Sequence, residues 1–62
     1  MITAETITHE QLRQMHRAAL DAGDTERART CERAAGWAPC SHEQRRVALV
    51  VCASVLTRNG AL

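Results

Sequence analysis

The sequence predicts an all-α fold, a compact three-helix bundle with helices over about residues 9–22, 25–35 and 42–58. Three observations carry that prediction. A hydroxyl residue is twice followed by His-Glu-Gln, in "THEQLRQ" from Thr8 and in "SHEQRRV" from Ser41, and each copy has the three-residue spacing of a capping box. Apolar residues behind each start recur at helical spacings of three and four. Glycine then punctuates the chain at Gly23, Gly36 and Gly60.

The first helix begins at Thr8, whose hydroxyl is placed to accept from the Gln11 backbone while the Gln11 side chain returns to Thr8. Ile7 and Leu12 stand at the positions of a hydrophobic staple. Leu12, Met15, Ala19 and Ala22 line one face until Gly23, a residue free to take positive φ. Residues 1–7 ahead of this start read as a flexible segment of the single domain, residues 1–62.

Asp24 is an N-cap for the second helix, and Glu26 puts a negative charge in its first turn, against the positive end of the helix dipole. Ala28, Cys31 and Ala35 form the apolar stripe, Arg29 and Arg33 lie on another face, and Gly36 ends the helix. The stretch "GWAPCS" from Gly36 to Ser41 has Gly, Pro and Ser and no periodicity, so it reads as a loop. Trp37, the one aromatic residue, is expected to fold back as the largest piece of core.

Ser41 and Gln44 cap the third helix, and Asn59 and Gly60 end it. Val47, Val50, Val51 and Val55 mark one face, while Ala48, Leu49, Cys52, Ala53 and Leu56 leave little polar surface elsewhere. A helix apolar nearly all round asks to be buried nearly all round. Two short amphipathic helices cover only part of it, so an exposed apolar strip is expected along Leu49, Cys52, Ala53 and Leu56. The competing expectation is that Trp37, Ile2 and Ile7 cover that strip. With Arg45 and Arg46 at the helix start, the strip is the expected partner-binding surface, its occupant a second copy or another protein.

At 62 residues the chain buries a low fraction of its surface, and a core without Phe or Tyr is thin. Small proteins of this kind commonly add a disulfide, a metal or a partner subunit. The net charge is +1, from eight arginines, no lysine and seven acids spread along the chain, which argues against a polyanion-binding tail. "MITAET" has neither the basic nor the apolar region of a signal peptide. The longest uncharged run, Val47 to Thr57, is shorter than the roughly 20 residues that cross a bilayer. A cytoplasmic protein without membrane contact is the expectation. Cys31, Cys40 and Cys52 then default to free thiols.

The chemical-looking residues form no complete signature. A zincin motif needs His-Glu-x-x-His, but Arg13 and Arg46 stand where the second histidines belong. His16 is seven residues after His9, roughly two turns on. Cys31, Cys40, His42 and Cys52 are the inventory of a Cys3His zinc site without its close cysteine pair, and Cys31 and Cys52 fit apolar faces as small hydrophobes. Cys40, Ser41 and His42 are adjacent, yet Ser41 has a capping role and neighbours in a chain seldom face one another productively. No enzyme activity, cofactor or metal is expected. Gln44, Arg45 and Arg46 suggest the alternative of a small helix-turn-helix-like DNA-binding regulator. Interleaved acids and a linker longer than three or four residues weigh against nucleic acid.

Two resemblances add a setting. The segment from Ala22 to Pro39, "AGDTERARTCERAAGWAP", resembles the turn and second helix of a tetratricopeptide repeat, with Gly23, Asp24, Ala28 and Ala35 at the family's offsets, Pro39 within one position, and the usual large aromatics missing. This implies a helical hairpin. The pattern "ITHEQLR" from Ile7, then "AGD" ending at Asp24 and "CERA" from Cys31, resembles small helical proteins of bacteriophages and other mobile elements in GC-rich bacteria. That resemblance implies an accessory protein that binds and disables a host component, such as a CRISPR effector or another part of a defence complex, in the host cytoplasm. Many anti-CRISPR proteins are acidic DNA mimics, so the +1 charge here implies inhibition by steric occupation through a helical face.

Overall fold

Three helices follow one another in a computed structural model that describes residues 1–60: α1 (His9–Asp21), α2 (Thr25–Ala35) and α3 (His42–Gly60). Consecutive helices pack together, α1 on α2 and α2 on α3, so the chain is a compact all-α bundle. The Cα trace measures 33 × 26 × 16 Å.

Local signals set the ends of these helices. At Thr8 the hydroxyl accepts from Gln11 N–H at 3.1 Å, and the Gln11 carboxamide oxygen accepts from Thr8 N–H at 2.8 Å. Ser41 and Gln44 repeat the arrangement at 3.1 and 3.0 Å. Asp24 accepts from Arg27 N–H at 3.1 Å, which satisfies a backbone donor at the start of α2.

The first two helices close alike. Asp24 N–H reaches back to Ala19 O at 2.8 Å and Gly23 N–H to Leu20 O at 3.1 Å, with Gly23 at φ 73°. Trp37 N–H bonds to Glu32 O at 2.8 Å and Gly36 N–H to Arg33 O at 3.2 Å, with Gly36 at φ 80°. Both are Schellman closures, in which a left-handed residue turns the chain and satisfies terminal carbonyls.

The core is Leu12, Met15 and Ala19 from α1, Ala28, Cys31, Ala34 and Ala35 from α2, and Ala48, Cys52, Ala53 and Val55 from α3. Cys31 and Cys52 are fully buried with sulfurs 4.0 Å apart. Every buried residue of α2 is an alanine or a cysteine, and side chains that small let a helix approach its neighbours closely. Ile7, Leu49 and Leu56 pack against this cluster from its margin, so the Ile7–Leu12 staple joins the core.

Three expectations need correction. Trp37 is 47% exposed instead of filling the core. The space between helices is taken by alanine and cysteine side chains, and the closure at Gly36 sends the indole outward against His16, centroids 5.4 Å apart and edge to face. Ala22 is exposed because α1 has ended at Asp21 and the chain is turning. On α3 the expected exposed strip is not exposed: Cys52 and Ala53 lie in the core and Leu49 and Leu56 at its margin, while Val47, Val50 and Val51 face outward and Val55 faces in. The helix ends at Gly60, where Asn59 and Gly60 are expected to end it.

Residues 1–7 lie against α3. Ile7 N–H bonds to Thr3 O at 3.0 Å and closes a turn. The Thr57 hydroxyl accepts from Ile2 N–H at 3.3 Å and donates to Ile2 O at 3.0 Å.

The left-handed closure at Gly23 is testable in isolation, because a Cβ there would meet nothing within 4 Å. Gly23→Ala is expected to lose about 1–2 kcal/mol, the cost of holding an L-residue at positive φ. Gly23→Asn recovers part of it, read from urea unfolding monitored by circular dichroism.

Candidate protein-docking face

Each residue expected to form the partner surface has a definite place. Arg45 lies over the end of α2, its Nε donating to Ala34 O at 3.4 Å, with the guanidinium carbon 3.7 Å from where a Gly36 Cβ would stand. It acts as a cation at the C-terminus of α2. Arg46 donates to the Glu5 carboxylate at 3.0 Å. The Glu5 carboxyl is held below the usual carboxylate range by a backbone hydrogen bond and by Arg46. Leu49 and Leu56 are half-buried against the core, and Cys52 and Ala53 are inside it. These six residues therefore do not share an exposed strip. The expected covering of that side by Ile2 and Ile7 comes about in part, through Ile7 on the core margin and Ile2 on Thr57, while Trp37 goes elsewhere.

The exposed apolar surface of α3 is the valine face. Val47, Val50 and Val51 are 57%, 47% and 44% exposed. At 100° per residue these three fall with Glu43, Ser54 and Arg58 in an arc of about 100°. All six are exposed. The stripe is a ridge between two shallow grooves. One, of about 590 Å³, runs between α2 and α3 past Thr30, Arg33 and Gln44. The other, of about 540 Å³, runs between α3 and residues 1–5, past Met1, Ile2 and Ala4.

The sequence alone does not single out this face. Glu43, Ser54 and Arg58 share the arc of Val47, Val50 and Val51, but His42, Arg45 and Asn59 share the arc opposite. Ala48 and Cys52, buried on the side towards α2, are small residues suited to close contact with its alanines and Cys31.

Several of the other polar residues have structural partners. His16 contacts Glu32 of α2, Nε2 to Oε2 3.0 Å, while His9 is exposed. An ionised carboxylate only accepts, so His16 Nε2 donates. Cys40 Sγ lies 3.9 Å from Arg33 O, apart from the Cys31–Cys52 pair. Among the described residues no three His, Cys, Asp or Glu side chains are gathered as a metal would require. Ser41 spends its hydroxyl on the cap beside an exposed His42. Among the described residues no helix is long and apolar enough to cross a membrane.

No known protein family matches this chain, and neither curated proteins nor solved structures give a match.

Burial raises both core thiols, Cys31 above its ordinary value of 9.0 and Cys52 from 9.0 to about 12. Native protein titrated with a disulfide reagent such as Ellman's is therefore expected to show one accessible thiol, Cys40, and two slow ones, all three becoming equivalent in denaturant. The linkage sign follows from the same shifts. A folded-state thiol pKa above the unfolded one means that the folded state holds more protons, so this contribution is complete below about pH 9 and is lost towards about pH 12. Denaturation midpoints measured from pH 7 upward are expected to fall above about pH 9, and Cys52→Ala flattens that fall.

Proposed function

We propose that this chain is a non-enzymatic protein-binding module whose working surface is the valine ridge of α3. The observation that carries the reading is the exposure of Val47, Val50 and Val51 side by side on one helix. Contiguous exposed valines cost solvation unless something covers them, and a ridge rimmed by polar residues has the character of a protein contact. Arg45 and Arg46 are engaged within the molecule by Ala34 and Glu5, so they position α2 and the N-terminal segment around the ridge. The same engagement weakens the DNA-binding alternative, which needs those side chains free at the start of α3.

The resemblance of "ITHEQLR" and "CERA" to proteins of phages and mobile elements suggests a host defence complex in the bacterial cytoplasm as the biological target, inhibited by occupation of a surface it needs. A module of this size acts by covering a site.

Val50→Glu puts a charge at the centre of the ridge without touching the core. Immobilised wild-type protein is expected to retain a specific protein from host extract that Val50→Glu loses and Arg17→Glu, on an exposed site of α1, keeps. Equal capture by all three overturns the ridge as the working surface. For the defence setting, expression of wild type but not Val50→Glu should raise phage plaquing on hosts with an active CRISPR system. Unchanged plaquing across CRISPR types removes that setting.

A further inference from the structure

The geometry points to a second copy of this chain as an occupant of the ridge, in a two-fold dimer with the two α3 helices antiparallel. This rests on the ridge being a protein-binding surface and names one partner for it. Along the exposed arc the order is Glu43, Val47, Val50, Val51, Ser54, Arg58, with an acid at one end and a base at the other. The positions are symmetric about one point. Residues 43 and 58, 47 and 54, and 50 and 51 share the same midpoint in sequence, so an antiparallel two-fold placed there sets each residue opposite its counterpart in the other copy.

That register is complementary at every level. Glu43 of each copy meets Arg58 of the other, which makes two intermolecular ion pairs. Val47 meets the smaller Ser54, so a large side chain lies over a small one, and Val50 meets Val51 on the axis. Parallel pairing in register would instead set Glu43 against Glu43 and Arg58 against Arg58, which is repulsive at both ends. Among the described residues neither Glu43 nor Arg58 forms an ion pair within the chain. Glu43 and Arg58 stand about 22 Å apart along the helix at 1.5 Å per residue. A helix pair of that length covers less than a standard interface, so association is weak and fast.

Sedimentation equilibrium from about 10 µM to about 1 mM tests the dimer, at low salt where exposed ion pairs are strongest. The wild type is expected to rise from its monomer mass of 6.8 kDa towards twice that value. Glu43→Arg and Arg58→Glu are each expected to weaken association about tenfold or more, because each sets two like-charge pairs across the axis. The double variant E43R/R58E restores it. An equimolar mixture of the two single variants also associates, since one copy then carries arginine at both ends and the other glutamate at both. Circular dichroism confirms that each variant is folded.

A folded wild type that remains monomeric at about 1 mM overturns the dimer, while the capture experiment with Val50→Glu still decides the ridge separately. Single swaps without effect, or a double swap and a mixture that fail to restore association, overturn the antiparallel register.

Discussion

The structure depends on α2 having nothing larger than alanine or cysteine on its buried surface. Ala28, Cys31, Ala34 and Ala35 are all buried, on a helix of only eleven residues that packs against α1 on one side and α3 on the other. Small side chains bring little apolar area each, so their contribution lies in the close approach they allow, which puts Cys31 Sγ within 4.0 Å of Cys52 Sγ. Leu12, Met15 and Val55 then fill the remaining volume from either side. A larger residue at Cys31 would push α3 away and break the contact on which the third helix relies.

Much of the remaining order follows from that close contact. An α2 tight against both neighbours has no slot for an indole, so Trp37 leaves the closure at Gly36 and rests its ring against His16, beside the His16–Glu32 hydrogen bond that ties α1 to α2 at the surface. Arg45 completes the same end of α2 by donating to Ala34 O, so the α2–α3 loop is held by a glycine conformation and a charged cap. The N-terminal segment then seals the side of α3 that α2 does not reach, through Thr57 and through the Glu5–Arg46 pair. That exposed pair contributes little by itself, and its role is to set where the segment lies.

The helix starts were legible in the sequence because capping is local. Thr8 with Gln11, Asp24, and Ser41 with Gln44 each bond within three residues, so no tertiary information was needed to place them. Gly23 and Gly36 were legible for the same reason. The orientation of α3 was not, because its apolar residues encircle it and only the partner helix decides which are covered. Choosing the leucine side as free treated α3 by itself. The alanines and cysteine of α2 select Ala48 and Cys52 by closeness of fit, and Leu49 and Leu56 follow at the margin. Trp37 was misplaced by the same omission, since large apolar area alone does not guarantee a place in a core of small residues.

The valine ridge is then what remains after α2 and the N-terminal segment have taken the rest of α3. Valine is a weak choice for an exposed helix position, since its branched Cβ restricts rotamers there and lowers helix propensity, and three such residues in five positions oppose the helix that carries them. Nothing in the packing of the single chain requires them, because Val55 alone of the four valines of α3 reaches the core. Alanine, glutamate or arginine at 47, 50 and 51 would hold the same backbone with less strain and better solvation. Their presence, with an acid at one end of the arc and a base at the other, is locally unfavourable for an isolated helix and favourable for one lying against another protein surface. Local rules broken at adjacent exposed positions, in a chain whose described helix starts and glycine turns otherwise obey them, are the physical ground on which the proposed docking surface of α3 rests.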